Sequence, residues 1–579
     1  MRAITLRNLL LNLLVLCAAS GAGFAQRSKL STELQGRHDD AMVEVIVRYK
    51  VPPSDRHRSN IAAKKGEVRT DLSFIKSLHV SVPASRLAEL AADKEVEHIS
   101  PNHPLGSTLS NTAGAVLASS AWNVGLDGTG VVVAVVDSGI HVTQDLNPAP
   151  GSPQKGPIVI ANYDTIGGGP DDQYGHGTHV AGIIAGNGQA SSCKQCDLTF
   201  RGLAPGVRIV NFHALDKNGQ GTDASVINAI NLAIQLKNTY KIRILNLSLG
   251  RPVYESYTQD PLCQAVEQAW NAGIVVVVAA GNDGRDNSAG TNGYGTITAP
   301  GNDPYVITVG AMNTMRTPDR GDDVMTTYSS KGPTPVDHIA KPDLVAPGNK
   351  VVSLQAAGGA TLVKEYPGNI PLQHYYQTGG NPNDLSKAYF TLSGTSMAAP
   401  VVSAAAALLL QQNPQLTPDQ IKARLMKTAY KVFPQYSTIV SSGQTFVIQY
   451  DAFTVGAGYL DIQAAISDTT VATLPATSPA VAYDPATGNV YFVSNSSALW
   501  GSSALWGSSA IWGSSAFVGT QSALWGSSAL WGSSALWGSS TTEGFSALWG
   551  SSALWGSSAL WGSSYDSLNA MDAGINGDN

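Results

Sequence analysis

Basic residues are not in surplus: 36 Lys and Arg stand against 42 Asp and Glu, a formal net charge of -6, and no long Lys/Arg run occurs. A nucleic-acid partner is therefore not expected, because phosphate binding needs concentrated positive charge. Long apolar runs are missing beyond residue 25, where none approaches the roughly 20 residues that cross a bilayer. No transmembrane segment is predicted. Cysteine is scarce, with four residues in 579. One of them, Cys17, lies in residues 1–25, where Arg2 and Arg7, an apolar stretch from Leu9 to Ala19, and small Gly23 and Ala25 read as an export signal cleaved near Ala25. A lipoprotein signal at Cys17 would want a small residue where bulky Leu16 stands. The expected location is extracellular. Cys193, Cys196 and Cys263 then remain, an odd number in a compartment that permits disulfides. A lone CxxC is a weak zinc signal, so a disulfide between Cys193 and Cys196 is the preferred reading, with Cys263 a buried thiol in the helical pattern "DPLCQAVEQAW".

What is present falls into segments. Residues 27–104 hold 24 charged side chains, and "MVEVIVRYK", "SLHVSVPA" and "SRLAELAADKEV" carry strand and helix periodicity, predicting a small α+β domain over 26–105. From 106 to 468 the pattern changes to continuous apolar runs ("VVVAVV", "VRIVNFHAL", "IRILNLSL", "IVVVVAA", "YVITVGA") separated by helical spacing at 176–187, 223–236 and 260–272. Strands buried on both faces read this way, so the expected fold is α/β, a mostly parallel sheet with helices on both faces. Residues 469–497 read as a linker or short β region, and 565–579 as a C-terminal tail. Between them, over 498–564, the hexad Ala-Leu-Trp-Gly-Ser-Ser repeats with nine Trp. An even period would place Ala, Trp and one Ser on one face of a strand, so a β-stacked array and a low-complexity tail both remain open.

Open α/β sheets bind ligands beyond the carboxyl ends of their strands. There the sequence places Asp137 after "VVVAVV", Ser248 to Gly250 after "IRILNL", and Asn282 after "IVVVVAAG"; helix starts bring His176 in "GHGTHVAG" and Ser396 in "SGTSMAAP". A serine hydroxyl becomes a nucleophile when an imidazole takes its proton, and a carboxylate fixes that imidazole's tautomer. Asp137, His176 and Ser396 supply this chain, and the Asn282 amide with the Ser396 N–H can hold an oxyanion. Pro400 is tolerated in a first helical turn, so the helix starts near Ser396, with Gly394, Ala398 and Ala399 leaving room for a peptide. Taken separately, these residues could be a turn Asp, a core His, a turn Asn and a capping Ser. Together on one rim they are not. His179 sits three residues into its helix and reads as structural, and His141 and His213 have no motif around them.

The stretches "VVDSGI", "GHGTHVAGIIAG" and "SGTSMAAP" resemble, in this order, the three signature motifs of the subtilisin-like serine protease family. The resemblance spans about 107–468, and the front segment is similar to the family's inhibitory propeptide. It implies Asp137, His176 and Ser396 as the triad and Asn282 as the oxyanion-hole residue. It further implies that Ser248, Leu249 and Gly250 pair with substrate backbone, that Ala279, Ala280 and Gly281 line the other wall of the specificity pocket, and that Thr298 lies near its base. No cofactor is needed for such chemistry.

Two departures stand out: "SSCKQCDLTF" follows the His176 helix where many members build a calcium site, and a long stretch, 353–390, precedes the Ser396 motif. Asp145 resembles a family calcium ligand, which leaves a structural calcium open. The expected protein is a secreted serine endopeptidase acting on proteins or peptides, inhibited by its own propeptide and self-processed between about His103 and Asn111. The competing reading is a catalytically weak adhesion or scaffold protein whose Trp-rich tail self-associates or binds polysaccharide.

Overall fold

The computed structural model describes residues 29–31, 34, 39–73, 76–101, 108–148, 156–378, 381, 383–441, 443–484, 489–492 and 575–578. The export signal, the hexad repeats and part of the expected processing stretch lie outside the described residues. The chain divides into two compact units, 1–105 and 106–579.

In the first unit β1 (Met42–Tyr49), α1 (Asp55–Ala63), β2 (Glu67–Leu72), β3 (Ser77–Pro83), α2 (Leu87–Ala91) and β4 (Val96–Pro101) form an antiparallel sheet of order β2-β3-β1-β4. Alternation in β1 sends Val43, Val45, Val47 and Tyr49 inward and Glu44 and Arg48 outward. One covered face demands that period of two. Ile61, Leu87 and Leu90 from the helices complete a small core of their own.

In the second unit the strands are β5 (Val132–Asp137), β6 (Val159–Asp164), β7 (Arg208–His213), β8 (Ile242–Leu247), β9 (Val275–Ala279), β10 (Ile307–Asn313), β11 (Val324–Met325) and β12 (Leu344–Pro347). They run in the order β11-β10-β9-β8-β5-β7-β6, with β12 also on β10, and every pairing is parallel except β10 with β11. A hairpin-like pair, β13 (Val351–Leu354) with β14 (Tyr389–Leu392), lies beside the sheet. All of β5, β9 and β10 is buried, as the unbroken apolar runs require, and each buried Val contributes about 1.5–3 kcal/mol.

The connecting helices are α3 (His176–Ala185), α4 (Asp223–Tyr240), α5 (Pro261–Asn271), α6 (Thr395–Gln412) and α7 (Pro418–Thr428). Helix α4 packs on α5 and α3 packs on α6, which gives a mixed α/β sheet clad by two helical pairs. Long and apolar enough to cross a bilayer by length and composition, α6 is instead a core helix: from Thr395 to Leu410 every residue except Ser396 is buried. Residues 472–482 pack on this unit rather than leaving it, with Ala476, Ser478 and Val481 buried. Ser478 joins a buried network in which Lys341 and Lys422 flank Asp343 at 2.7 and 3.2 Å. Because β5 pairs with β7 on one side and β8 on the other, the chain reverses its direction of winding at β5. The carboxyl edge there is where ligands bind in such sheets.

Candidate active site

Strand β5 ends on Asp137, which is fully buried. Its Oδ1 accepts the His176 Nδ1–H at 2.7 Å and the Ser138 N–H at 2.8 Å, while Oδ2 is buried with no hydrogen-bond partner among the described residues. A carboxylate only accepts, so Nδ1 carries the imidazole proton and Nε2 of the neutral ring is bare. That is the state a general base requires. Burial alone would push the His176 imidazolium down, but Asp137, by charge and by hydrogen bond, with Asp172 behind it, holds it above the ordinary 6.5.

Helix α3 can bring His176 this close only because its second residue has no side chain: a Cβ on Gly177 would stand 2.2 Å from the Gly139 carbonyl and 3.1 Å from Asp137 Cβ. The loop ahead of the helix is held by Asp172, which is buried and accepts five hydrogen bonds. Its Oδ1 takes Ser138 Oγ–H, Tyr174 N–H and Gly175 N–H at 2.9, 3.2 and 2.7 Å, and its Oδ2 takes Thr178 N–H and Oγ–H at 2.8 and 2.7 Å. Burial pushes the Asp172 carboxyl up, and the donors oppose that shift. Sequence reading missed Asp172; the one signal available is an Asp shortly before a helix start, which turns also produce.

Pro400 is the sixth residue of α6, beyond the first turn where it was expected. Having no N–H, it leaves the Ser396 carbonyl without its helical donor. Ser248 Oγ–H fills that gap at 2.8 Å, and is itself held by Asn246 Nδ2–H at 2.9 Å. The Ser396 hydroxyl donates in turn to the Ser248 carbonyl at 3.1 Å and makes no hydrogen bond to His176 in this conformation. Gly394, Ala398 and Ala399 are buried against the body of the unit, so they do not open space for a peptide as expected; close packing under α6 is why they are small.

On the neighbouring loop Asn282 Oδ1 accepts Thr395 N–H at 2.9 Å and its Oγ–H at 3.1 Å. The amide is thereby oriented, and its Nδ2 donates to no described group. Thr395 also accepts Gly281 N–H at 3.1 Å, so this residue, not singled out from the sequence, ties the Asn282 loop to the start of α6. Thr298 is 8% exposed and lies between Gly250 and Gly281, whose absent Cβ atoms would meet its side chain at 2.5 and 2.8 Å. Ala279 and Ala280 are buried, Gly281 is half-buried, Leu249 is half-buried and Gly250 exposed.

His179 donates from Nε2 to the Val351 and Phe390 carbonyls at 3.0 and 3.1 Å. Burial, with the His176 charge adding, pushes it down to about 3, so it stays neutral. His141 pairs with Asp171 and His213 with Asp164. Cys193 and Cys196 are joined in a disulfide, and Cys263 is free and buried. Asp145 is buried, and both its oxygens are taken by protein donors, Ala190 N–H at 2.6 Å and Tyr389 O–H at 2.8 Å. Burial also pushes its carboxyl up. This donor set suits a hydrogen-bond acceptor rather than a cation ligand, and among the described residues no three His, Cys, Asp or Glu cluster to hold a metal.

An imidazole with a fixed tautomer begins helix α3, a half-buried hydroxyl beside an oriented amide lies at the start of α6, and these two helices pack on each other. The family model described as "Subtilase family" matches residues 128–458. "Serine protease AprX" of Bacillus subtilis (strain 168) is 35% identical over 374 residues, covering 62% of this chain and 76% of that protein. "Extracellular serine proteinase" of Thermus sp. (strain Rt41A) is 32% identical over 372 residues, covering 61% and 70%. A crystal structure of a cold adapted subtilisin-like serine proteinase is 28% identical and covers 53% of this chain and 84% of that one, with a TM-score of 0.36. The chain belongs to the subtilase family and is a serine endopeptidase.

Proposed function

We propose that Ser396 is the nucleophile of a secreted endopeptidase that is made as a self-processing zymogen. In this reading the Ser396 hydroxyl turns from the Ser248 carbonyl toward His176, gives its proton to Nε2, and bonds to the carbonyl carbon of the scissile amide. Asp137 stabilises the imidazolium that results, and Asn282 Nδ2–H with the Ser396 N–H takes the oxyanion. His176 then protonates the departing amine, leaving an acyl-enzyme that water hydrolyses by the same steps. Ser248 to Gly250 would pair with substrate backbone by strand addition, with Gly281 and Thr298 at the side-chain pocket.

The observation that carries this reading is the 2.7 Å Asp137–His176 contact, which fixes a base at the sheet edge. Thr395, held by Asn282, adds the adjoining donor loop. A fluorophosphonate probe should label the purified protein once, and Ser396→Ala should abolish labelling; a variant that still labels removes the assignment. The front α+β unit is the proposed inhibitory propeptide, released between about His103 and Asn111. Processing there by Ser396→Ala protein alone would exclude self-cleavage. Export rests on residues 1–25, and the adhesive role considered for residues 498–564 falls outside the described residues.

A further inference from the structure

Residues 575–578 sit in a pocket of the catalytic unit between the two loops that carry Asn282 and Ser396. Asp578 is fully buried, and its Oδ1 accepts Arg285 Nη2–H at 2.7 Å and Thr327 Oγ–H at 2.6 Å, while Oδ2 accepts Thr327 N–H at 2.7 Å. Its backbone is read as well: Asp578 N–H donates to Asn349 Oδ1 at 2.8 Å, and Asn349 Nδ2–H donates to the Asp578 carbonyl at 3.1 Å. The residue before it must be glycine, since Gly577 has φ +74° and a Cβ there would stand 2.3 Å from both Asn349 Oδ1 and Ser393 Oγ. Ser393 N–H donates to the Ile575 carbonyl at 3.2 Å, and Ile575 packs against the main core.

The pocket walls lead directly to the catalytic loops. Arg285 is three residues beyond Asn282, and Ser393 three residues before Ser396. Between them Tyr328 donates to the Gly348 carbonyl at 3.0 Å and accepts Gly394 N–H at 3.3 Å, immediately beside Thr327 and Asn349. A carboxylate with three donors, a reciprocal amide pair and a side-chain-free position together make a site that discriminates sequence, not a surface on which any tail would lie.

We propose that the catalytic unit carries a second peptide-binding site, separate from the substrate cleft, that holds the chain's own Ile575-Asn576-Gly577-Asp578 and thereby positions the Asn282 and Ser396 loops. Asp578 is a positioning residue: it touches no reacting atom and acts through Arg285, Thr327 and Asn349. The positioning half of this claim rests on the catalytic reading above. With the segment unseated, Arg285 and Thr327 lose their buried acceptor and Ser393 N–H its partner, so the two loops are free to part, and small misplacements of catalytic groups cost rate steeply.

The test is Asp578→Ala in the full chain, with active sites counted by fluorophosphonate. Expected are a fall in kcat of about tenfold or more with KM within about twofold, and faster amide exchange at Thr327 and Ser393. Capped Ile-Asn-Gly-Asp peptide should restore kcat saturably and slow that exchange again, while Ile-Asn-Gly-Ala should do neither. Gly577→Ala should move both readouts in the same direction and serves if Asp578→Ala does not fold. Unchanged kcat, lost kcat without altered exchange, or lost kcat that the peptide leaves unrestored would each overturn the proposal. Wild-type protein that fails to label sinks the catalytic reading instead, so the two failures are told apart.

Discussion

Replacing Asp172 by Asn keeps the side chain's shape and removes the acceptor on which the His176 loop is built. All five of its contacts are donated to it, three to Oδ1 and two to Oδ2. The amide nitrogen settles at lower cost on the Oδ2 side, where it confronts Thr178 N–H and Oγ–H. The hydroxyl can turn to accept, but the backbone N–H cannot, and the remaining bonds lose their charge assistance. Buried hydrogen bonds to charged groups are worth about 1.5–3 kcal/mol each, so two weakened or lost bonds give a destabilisation of about 3 kcal/mol. Urea unfolding in a Ser396→Ala background, which prevents self-digestion, should show a lower midpoint with an unchanged slope. A second readout separates electrostatics from packing. Asp172 helps raise the His176 imidazolium, so in the active background the acid limb of kcat/KM should move to lower pH. A loss below about 1 kcal/mol, or an unmoved acid limb, would refute the reasoning.

Asn282→Ala should lower kcat by about 10²- to 10³-fold with little change in KM, the loss known for the oxyanion-hole asparagine of subtilisin; steady-state kinetics on a peptide substrate checks it. With His176 as the proposed base, catalysis requires its neutral form; its folded-state pKa is raised above 6.5, so kcat/KM should fall as pH drops through a midpoint above 6.5. A pH–rate profile with its midpoint below that value would contradict the Asp137 and Asp172 contributions. Thr298→Ala empties the space between Gly250 and Gly281 and should shift cleavage toward larger side chains before the scissile bond, read from a peptide-library digest.

The apolar runs from "VVVAVV" to "YVITVGA" are legible as strands because burial on both faces leaves them mostly apolar, with only scattered polar residues such as Asn211, Asn246 and Thr308, and β5, β7, β8, β9 and β10 lie on those runs. Helix α4 extends to Tyr240 rather than 236, since its last turn carries polar residues that periodicity alone treats as loop. Asp137, His176, Asn282 and Ser396 stand at strand ends and helix starts, where local pattern already implies a shared edge. Asp172 and Thr395 were not legible: an Asp in a Gly-rich loop and a Thr at a helix start have ordinary local explanations, and only their partners, 34 and 113 residues away, reveal more.

By itself the sequence determined five of the buried strands, the principal helices between them and the residue types at their ends, because periodicity, caps and prolines act over a few neighbouring residues; strands β6 and β11 to β14 carry no such run. Tertiary structure alone decided that Ser248 replaces the hydrogen bond denied by Pro400, that Asp145 is satisfied by Tyr389, and that Asp578 is buried beside the catalytic loops. Each is a pairing of donor and acceptor between segments distant in the chain. A buried polar group must find such a partner, but nothing in its own neighbourhood in sequence says which one.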